Sequence, residues 1–100
     1  KTKRGDDFEE RVANALDRKY EKPEGVVFRG RNGDFIDMLF GCDIILYTKK
    51  SGYVTIQVKS YYPYGKEEQE KYLKDIKSKY FVNYLAVPIN NKIEFIKLHD

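Results

Sequence analysis

The stretch Tyr53-Val54-Thr55-Ile56-Gln57-Val58-Lys59 constrains the fold more than any other part of the chain. Side chains along a strand point alternately to opposite faces. Val54, Ile56 and Val58 therefore share one face, and that face needs an apolar cover. Tyr53, Thr55, Gln57 and Lys59 share the other. A charged Lys within an apolar sheet is costly unless it is paired or near the rim. A carboxylate, a metal site or a phosphate beside it would meet that need.

The flanking segments supply the cover. Residues 5–20 carry Phe8, Val12, Ala15 and Leu16 at helical spacing, with Asp6 or Asp7 as cap. On that helix Glu9 lies at the edge of the apolar stripe, and Glu10 faces water. Lys22-Pro23-Glu24-Gly25 is a break. Val26–Phe28 suits a short strand. The next loop holds Arg29, Gly30, Arg31 and Gly33. The run from Phe35 to Thr48 suits a strand, with room before it for a turn or a short helical piece. Pro63-Tyr64-Gly65 ends the run that starts at Tyr53. Residues 66–81 put Tyr72, Leu73, Ile76 and Tyr80 on one helix face. Tyr84–Ile89 is an apolar run of the buried-strand type. Asn90-Asn91 suits a tight hairpin turn, and Ile93–Leu98 suits an edge strand. The expected fold is an α/β or α+β sandwich. Its order is helix, three strands, helix, two strands, with a mixed central sheet flanked by helices.

Composition narrows the chemistry. The chain has 100 residues, one Cys, one His and no Trp, which suits a single domain over 1–100. One Cys cannot form an internal disulfide, which points to a reducing, intracellular setting such as the cytoplasm, or a host's cytoplasm for a viral protein. One Cys and one His exclude a Cys/His zinc site. The only His, His99, is next to last, a position that usually frays and suits a hydrolase triad poorly. No apolar run approaches the ~20 residues that span a bilayer, and no signal peptide is legible. A net charge of +3 permits a polyanionic partner without requiring one.

The register of the hairpin before Tyr53 decides which side chains meet. Lys50-Ser51-Gly52 suits a three-residue loop with Gly52 in the left-handed conformation. That closure pairs Lys49 with Tyr53, Tyr47 with Thr55, Ile45 with Gln57 and Asp43 with Lys59. Directly opposed residues project on the same face, so Asp43, Gln57 and Lys59 converge. A two-residue loop would place Asp43 opposite Val58 instead and break the cluster, so a functional reading of the three residues requires this register. Asp37 extrapolates past the end of the strand.

This constellation resembles the PD-(D/E)XK, or restriction-endonuclease-like, nuclease superfamily. The nearest likeness is to archaeal-type Holliday-junction resolvases and related small nucleases. The likeness covers most of the chain in element order. It rests on Gly5 followed four positions on by Glu9, on Asp43 opening a strand in Gly41-Cys42-Asp43-Ile44-Ile45, and on Ile56-Gln57-Val58-Lys59-Ser60. Cys42 stands where the family usually has Pro, and Gln57 stands where it usually has an acid.

The resemblance implies a metal-dependent DNA endonuclease that hydrolyses phosphodiester bonds and acts on branched DNA such as Holliday junctions. Glu9, Asp43, Gln57 and Lys59 would be its catalytic set. Mg²⁺ or Mn²⁺ would be held by Asp43, the Gln57 amide oxygen and the Val58 backbone carbonyl, with Glu9 as a direct or water-bridged ligand. Lys59 would orient the attacking water or offset transition-state charge. The replacement of an acid by Gln57 predicts weaker metal affinity. The partners implied are DNA and a second copy of the chain in a homodimer, with no membrane and no nucleotide cofactor.

Arg4, Arg29, Arg31, Ser60, Tyr61 and Tyr62 are the candidate nucleic-acid contacts, the arginines for phosphates and the tyrosines for exposed bases. Each residue also has a plain structural reading. Glu9 suits a first-turn acid, Asp43 a bulge or turn, Lys59 a solvated strand end, and the tyrosines a cover for the sheet end or a dimer contact. Cys42 suits a small buried residue. Two other functions stand beside the nuclease: a non-catalytic nucleic-acid-binding or protein-interaction module on the same scaffold, and an unrelated small α+β interaction protein.

Overall fold

The computed structural model describes residues 3–20, 24–29 and 42–100. Gly30, Arg31, Gly33, Asp37 and the first part of the run from Phe35 lie outside the described residues, as do the side chains of Arg4 and Arg29.

The fold is α+β. Helix α1 (Lys3–Lys19) precedes strands β1 (Gly25–Arg29), β2 (Ile44–Thr48) and β3 (Gly52–Val58). Helix α2 (Lys66–Lys79) follows, and then β4 (Tyr84–Ile89) and β5 (Lys92–Lys97). The five strands form one sheet in sequence order. It is mixed: β3 and β4 run parallel, and the other three neighbouring pairs are antiparallel. The parallel pair follows from α2, because a helical crossover returns the chain to the same end of the sheet.

Alternation divides the core in two. Ile44 and Leu46 of β2, Ile56 and Val58 of β3, and Ala86 pack against Phe8, Val12, Ala13 and Leu16 of α1. Ile45, Leu85 and Val87 pack on the other face against Ile76 of α2, with Tyr72, Leu73 and Tyr80 around it. Each fully buried Ile, Leu or Val in these layers contributes roughly 1.5–3 kcal/mol over an exposed one. One position on α1 differs from expectation: Ala13 is buried and Ala15 is only half-buried. The helix is rotated toward the side that carries Ala13 and, one turn earlier, Glu9. Glu9 is accordingly half-buried, and Glu10 is exposed.

Two turns show local chemistry at work. Asn90 and Asn91 both have positive φ, 52° and 62°, and they link Ile89 to its partner Lys92 in a two-residue hairpin. Positive φ at both positions is what such a turn demands, and Asn tolerates it better than most residues. Gly52 has φ 74°, the left-handed conformation expected of it. The closure itself differs from expectation. Gly52 is itself paired with Thr48, and Tyr47 pairs with Tyr53. The ladder is thus displaced by two residues, so Asp43 is not opposite Lys59. Thr48 Oγ1 accepts the Ser51 N–H at 2.9 Å. That bond places the turn at Lys49–Ser51, one residue earlier than the glycine alone suggests. A displacement of two leaves every strand side chain on its expected face.

His99 is not a frayed tail. It is half-buried, its ring stacks on Phe81 at 5.1 Å, and its backbone is tied to Asn83.

Candidate functional site

Asp43 sits where β2 leaves the ladder. The last pair is Ile44 with Ile56, yet the Asp43 N–H still donates to Ile56 O at 3.2 Å. Two residues of one strand thus face one of the other, as at a bulge, and bulges re-aim side chains. The Asp43 carboxylate is turned onto β3. Its Oδ2 accepts the Val58 N–H at 2.9 Å and the Gln57 Nε2–H at 3.0 Å. Asp43 and Gln57 are both buried, at 6% and 7% exposure.

The Gln57 amide has only one sensible orientation. Turned over, its oxygen would face the carboxylate, acceptor against acceptor. With Nε2 on Asp43, Gln57 Oε1 is buried and has no hydrogen-bond partner among the described residues. An unsatisfied buried acceptor costs about 1–3 kcal/mol and calls for an explanation. Together with the Asp43 carboxylate it makes a hard-oxygen donor set of the kind Mg²⁺ and Mn²⁺ prefer. The donor chemistry of these groups suits such an ion. Among the described residues, no group of three or more His, Cys, Asp and Glu side chains could hold a metal. Gln57 is outside that class, so the donor set here consists of one carboxylate and one amide.

Lys59 is the next outward residue on the Gln57 face. Its ammonium donates to Tyr80 Oη at 3.0 Å and lies 4.9 Å from the Tyr80 ring centroid. The Lys59 N–H donates to Ala86 O at 3.0 Å and holds the strand end against β4. Glu9 stands on α1, the helix that covers the opposite face of the sheet. The structure therefore gathers Asp43, Gln57 and Val58 at one point, sends Lys59 toward the end of α2, and keeps Glu9 on the other layer. Cys42 is buried at 1% exposure.

Ser60, Tyr61 and Tyr62 begin the loop from β3 to α2, and they line an open cleft of about 930 Å³. Arg11 of α1, Tyr64 and the Asn90–Asn91 turn complete its walls. The loop is pinned. Tyr72 Oη donates to Tyr61 O at 3.0 Å, and Gln69 Nε2 donates to Pro63 O at 2.8 Å. The Tyr61 and Tyr62 rings stand edge-on to Tyr72 at 6.3 and 5.6 Å. Burial in this cluster raises the Tyr62 phenol above its ordinary value and pushes the Tyr72 phenol up to about 12. Nothing local to Tyr80, Arg11 or the Asn pair in the sequence marks a part in a site. Residues 11, 61 and 90 meet only through the tertiary fold.

No protein-family model, curated protein or solved structure matches the chain. No helix among the described residues is long and apolar enough to cross a membrane.

Proposed function

We propose that the chain is a metal-dependent DNA endonuclease of PD-(D/E)XK type. The observation that carries the reading is the buried Asp43 carboxylate beside Gln57, whose Oε1 has no hydrogen-bond partner among the described residues. Asp43, Gln57 Oε1 and the Val58 carbonyl would hold Mg²⁺ or Mn²⁺. When bound, the ion would polarise the scissile phosphate and lower the pKa of a water molecule. The residues of the chain do the rest. The Val58 N–H and the Gln57 amide fix the Asp43 carboxylate. Tyr80 holds the Lys59 ammonium in place, where its positive charge can offset the charge that develops on the phosphate.

Branched DNA is the substrate class that the resemblance favours. A homodimer in a reducing compartment belongs to the same reading. β5 ends the described sheet, which leaves an edge for isologous pairing. The lone buried Cys42 suits the compartment. A second reading, a non-catalytic nucleic-acid-binding module, is favoured by one observation. The Gln57 amide donates to the carboxylate oxygen that an ion would use.

The test is cleavage of labelled four-way junction, flap, single-stranded and duplex DNA with Mg²⁺, Mn²⁺ or EDTA. Metal-dependent cutting lost in Asp43→Ala and Lys59→Ala is the expected result. DNA binding without cutting, unchanged in Asp43→Ala, selects the non-catalytic module.

A further inference from the structure

We propose that the cleft between α1, the β3–α2 loop and the β4–β5 turn is a subsite for unpaired nucleotides of a DNA strand. The bases would stack on Tyr61 and Tyr64. These two residues are 61% and 94% exposed, and both line the same cleft. They are not floppy ornaments, because Gln69 also donates to Tyr64 O at 3.3 Å, and Tyr72 anchors Tyr61. A stacking platform needs this combination of exposed ring and fixed backbone, since every base offers a π-face.

The opposite wall suits the rest of a nucleotide. Asn90 and Asn91 are exposed and set by their left-handed turn, and an Asn amide can both donate to and accept from a base edge. Arg11 offers a guanidinium for a phosphate. Exposed rings favour unpaired bases over a duplex, whose bases are already stacked on one another, and charge adds little here. Asp7 also lines the cleft and offsets Arg11. The volume of about 930 Å³ falls in the ~300–1,000 Å³ range of sites that hold a small ligand, which suits a nucleotide or two.

The inference rests on the proposed function only for the identity of the strand as DNA. Its test therefore measures binding in EDTA, where cutting plays no part. Fluorescein-labelled oligothymidylate, oligouridylate and a matched DNA duplex would be titrated with the full chain and followed by anisotropy. Tyrosine emission offers a second readout, because the chain has nine Tyr and no Trp. Oligothymidylate should bind at least about tenfold more tightly than the duplex and quench tyrosine emission. Tyr61→Ala/Tyr64→Ala should weaken binding by about tenfold or more, and Tyr64→Phe by less than about twofold, given the usual strength of base stacking. Tyr64→Ala alone guards against misfolding, since that side chain touches little of the protein, and it should also weaken binding.

Unchanged affinity in Tyr64→Ala and the double variant, no binding of oligothymidylate, or preference for the duplex overturns the proposal. Tighter binding of oligouridylate overturns the assignment to DNA. The nuclease reading fails separately: strand binding that depends on Tyr64, with no cutting under Mn²⁺, removes the nuclease and leaves the subsite. Cutting that ignores Tyr61 and Tyr64 removes the subsite and leaves the nuclease.

Discussion

Gln57 and Asp43 are locked side chain to side chain, with Gln57 Nε2 donating to Asp43 Oδ2 at 3.0 Å in a buried setting. The same carboxylate oxygen takes the Val58 N–H at 2.9 Å. A neutral amide beside a buried carboxylate stabilises it without a second negative charge. That favours the metal-free fold and lowers the attraction for a cation.

Gln57→Glu reverses this balance. Two carboxylates then share the spot, one donor is lost, and like charges repel. Without metal, the variant should be less stable than wild type by about 1–3 kcal/mol. Added Mn²⁺ should raise its melting temperature more than it raises that of wild type. Thermal melts with Mn²⁺ and with EDTA read both effects. Equal Mn²⁺ shifts for the two proteins would remove Gln57 from the proposed metal site.

Asp43→Ala leaves the Val58 N–H and the Gln57 amide without their charged acceptor. Truncating one partner of a buried hydrogen bond costs about 1–3 kcal/mol, more for charged groups. Urea unfolding should show a lower midpoint with an unchanged slope. Asp43→Asn keeps the volume and one acceptor oxygen, so it should fall between Ala and wild type.

Asn83 is a clip between β3, β4 and the C-terminal residues. Its Oδ1 accepts from the Thr55 N–H and Oγ1–H at 2.9 and 3.1 Å. Its N–H donates to Thr55 Oγ1, also at 3.1 Å, and its backbone oxygen takes the Leu98 N–H at 2.8 Å. Asn83→Ala should cost about 1–3 kcal/mol, because the partly buried Thr55 N–H loses its acceptor. Hydrogen exchange at Thr55 should accelerate in the variant. Slow exchange at that amide would show that backbone packing alone protects it.

The contrast between Asn83 and Asn90 shows what was legible in the sequence. Asn90-Asn91 announces its turn because both residues must adopt positive φ, a local demand met by local chemistry. The element order and the two helix faces are similarly local, since period and alternation sit in contiguous residues. Asn83 acts through Thr55, 28 positions away, and no pattern near either residue marks the bond. The hairpin register failed for a related reason. Gly52 takes the positive φ that the sequence predicts but stands in the ladder opposite Thr48, because the Thr48 hydroxyl fixes where the turn begins. The meeting of Asp43 with Gln57 survived that slip, because a displacement of two preserves faces and the bulge at Asp43 carries its carboxylate across.

Tyr72 ties stability to alkaline pH. Burial pushes its phenol from 10.0 up to about 12, and its hydroxyl donates to Tyr61 O. The folded state thus holds this proton more tightly than the unfolded chain does. The stabilising contribution is complete below pH ~10 and is lost as pH rises from ~10 toward ~12. Tyr72→Phe should be less stable than wild type near neutrality and lose less stability across that window. Melting curves at several alkaline pH values measure the slope, and identical slopes would exclude Tyr72 as its source.

Lys59 and Tyr80 separate a charge from the group that positions it. The ammonium donates to Tyr80 Oη at 3.0 Å, while the Tyr80 ring packs in the α2 layer. Tyr80→Phe keeps the ring and removes the acceptor, so the fold should change little and Lys59 should gain rotamer freedom. Under the nuclease reading, Lys59→Met, which removes the charge and keeps the length, should slow cutting by about a hundredfold or more. Tyr80→Phe should slow it by roughly tenfold or less, since the charge remains but is less well held. Single-turnover cleavage rates under saturating Mn²⁺ measure both. A Tyr80→Phe loss as large as that of Lys59→Met would make the phenol itself a participant. No loss in either variant would leave the pair as a structural link between β3 and the end of α2.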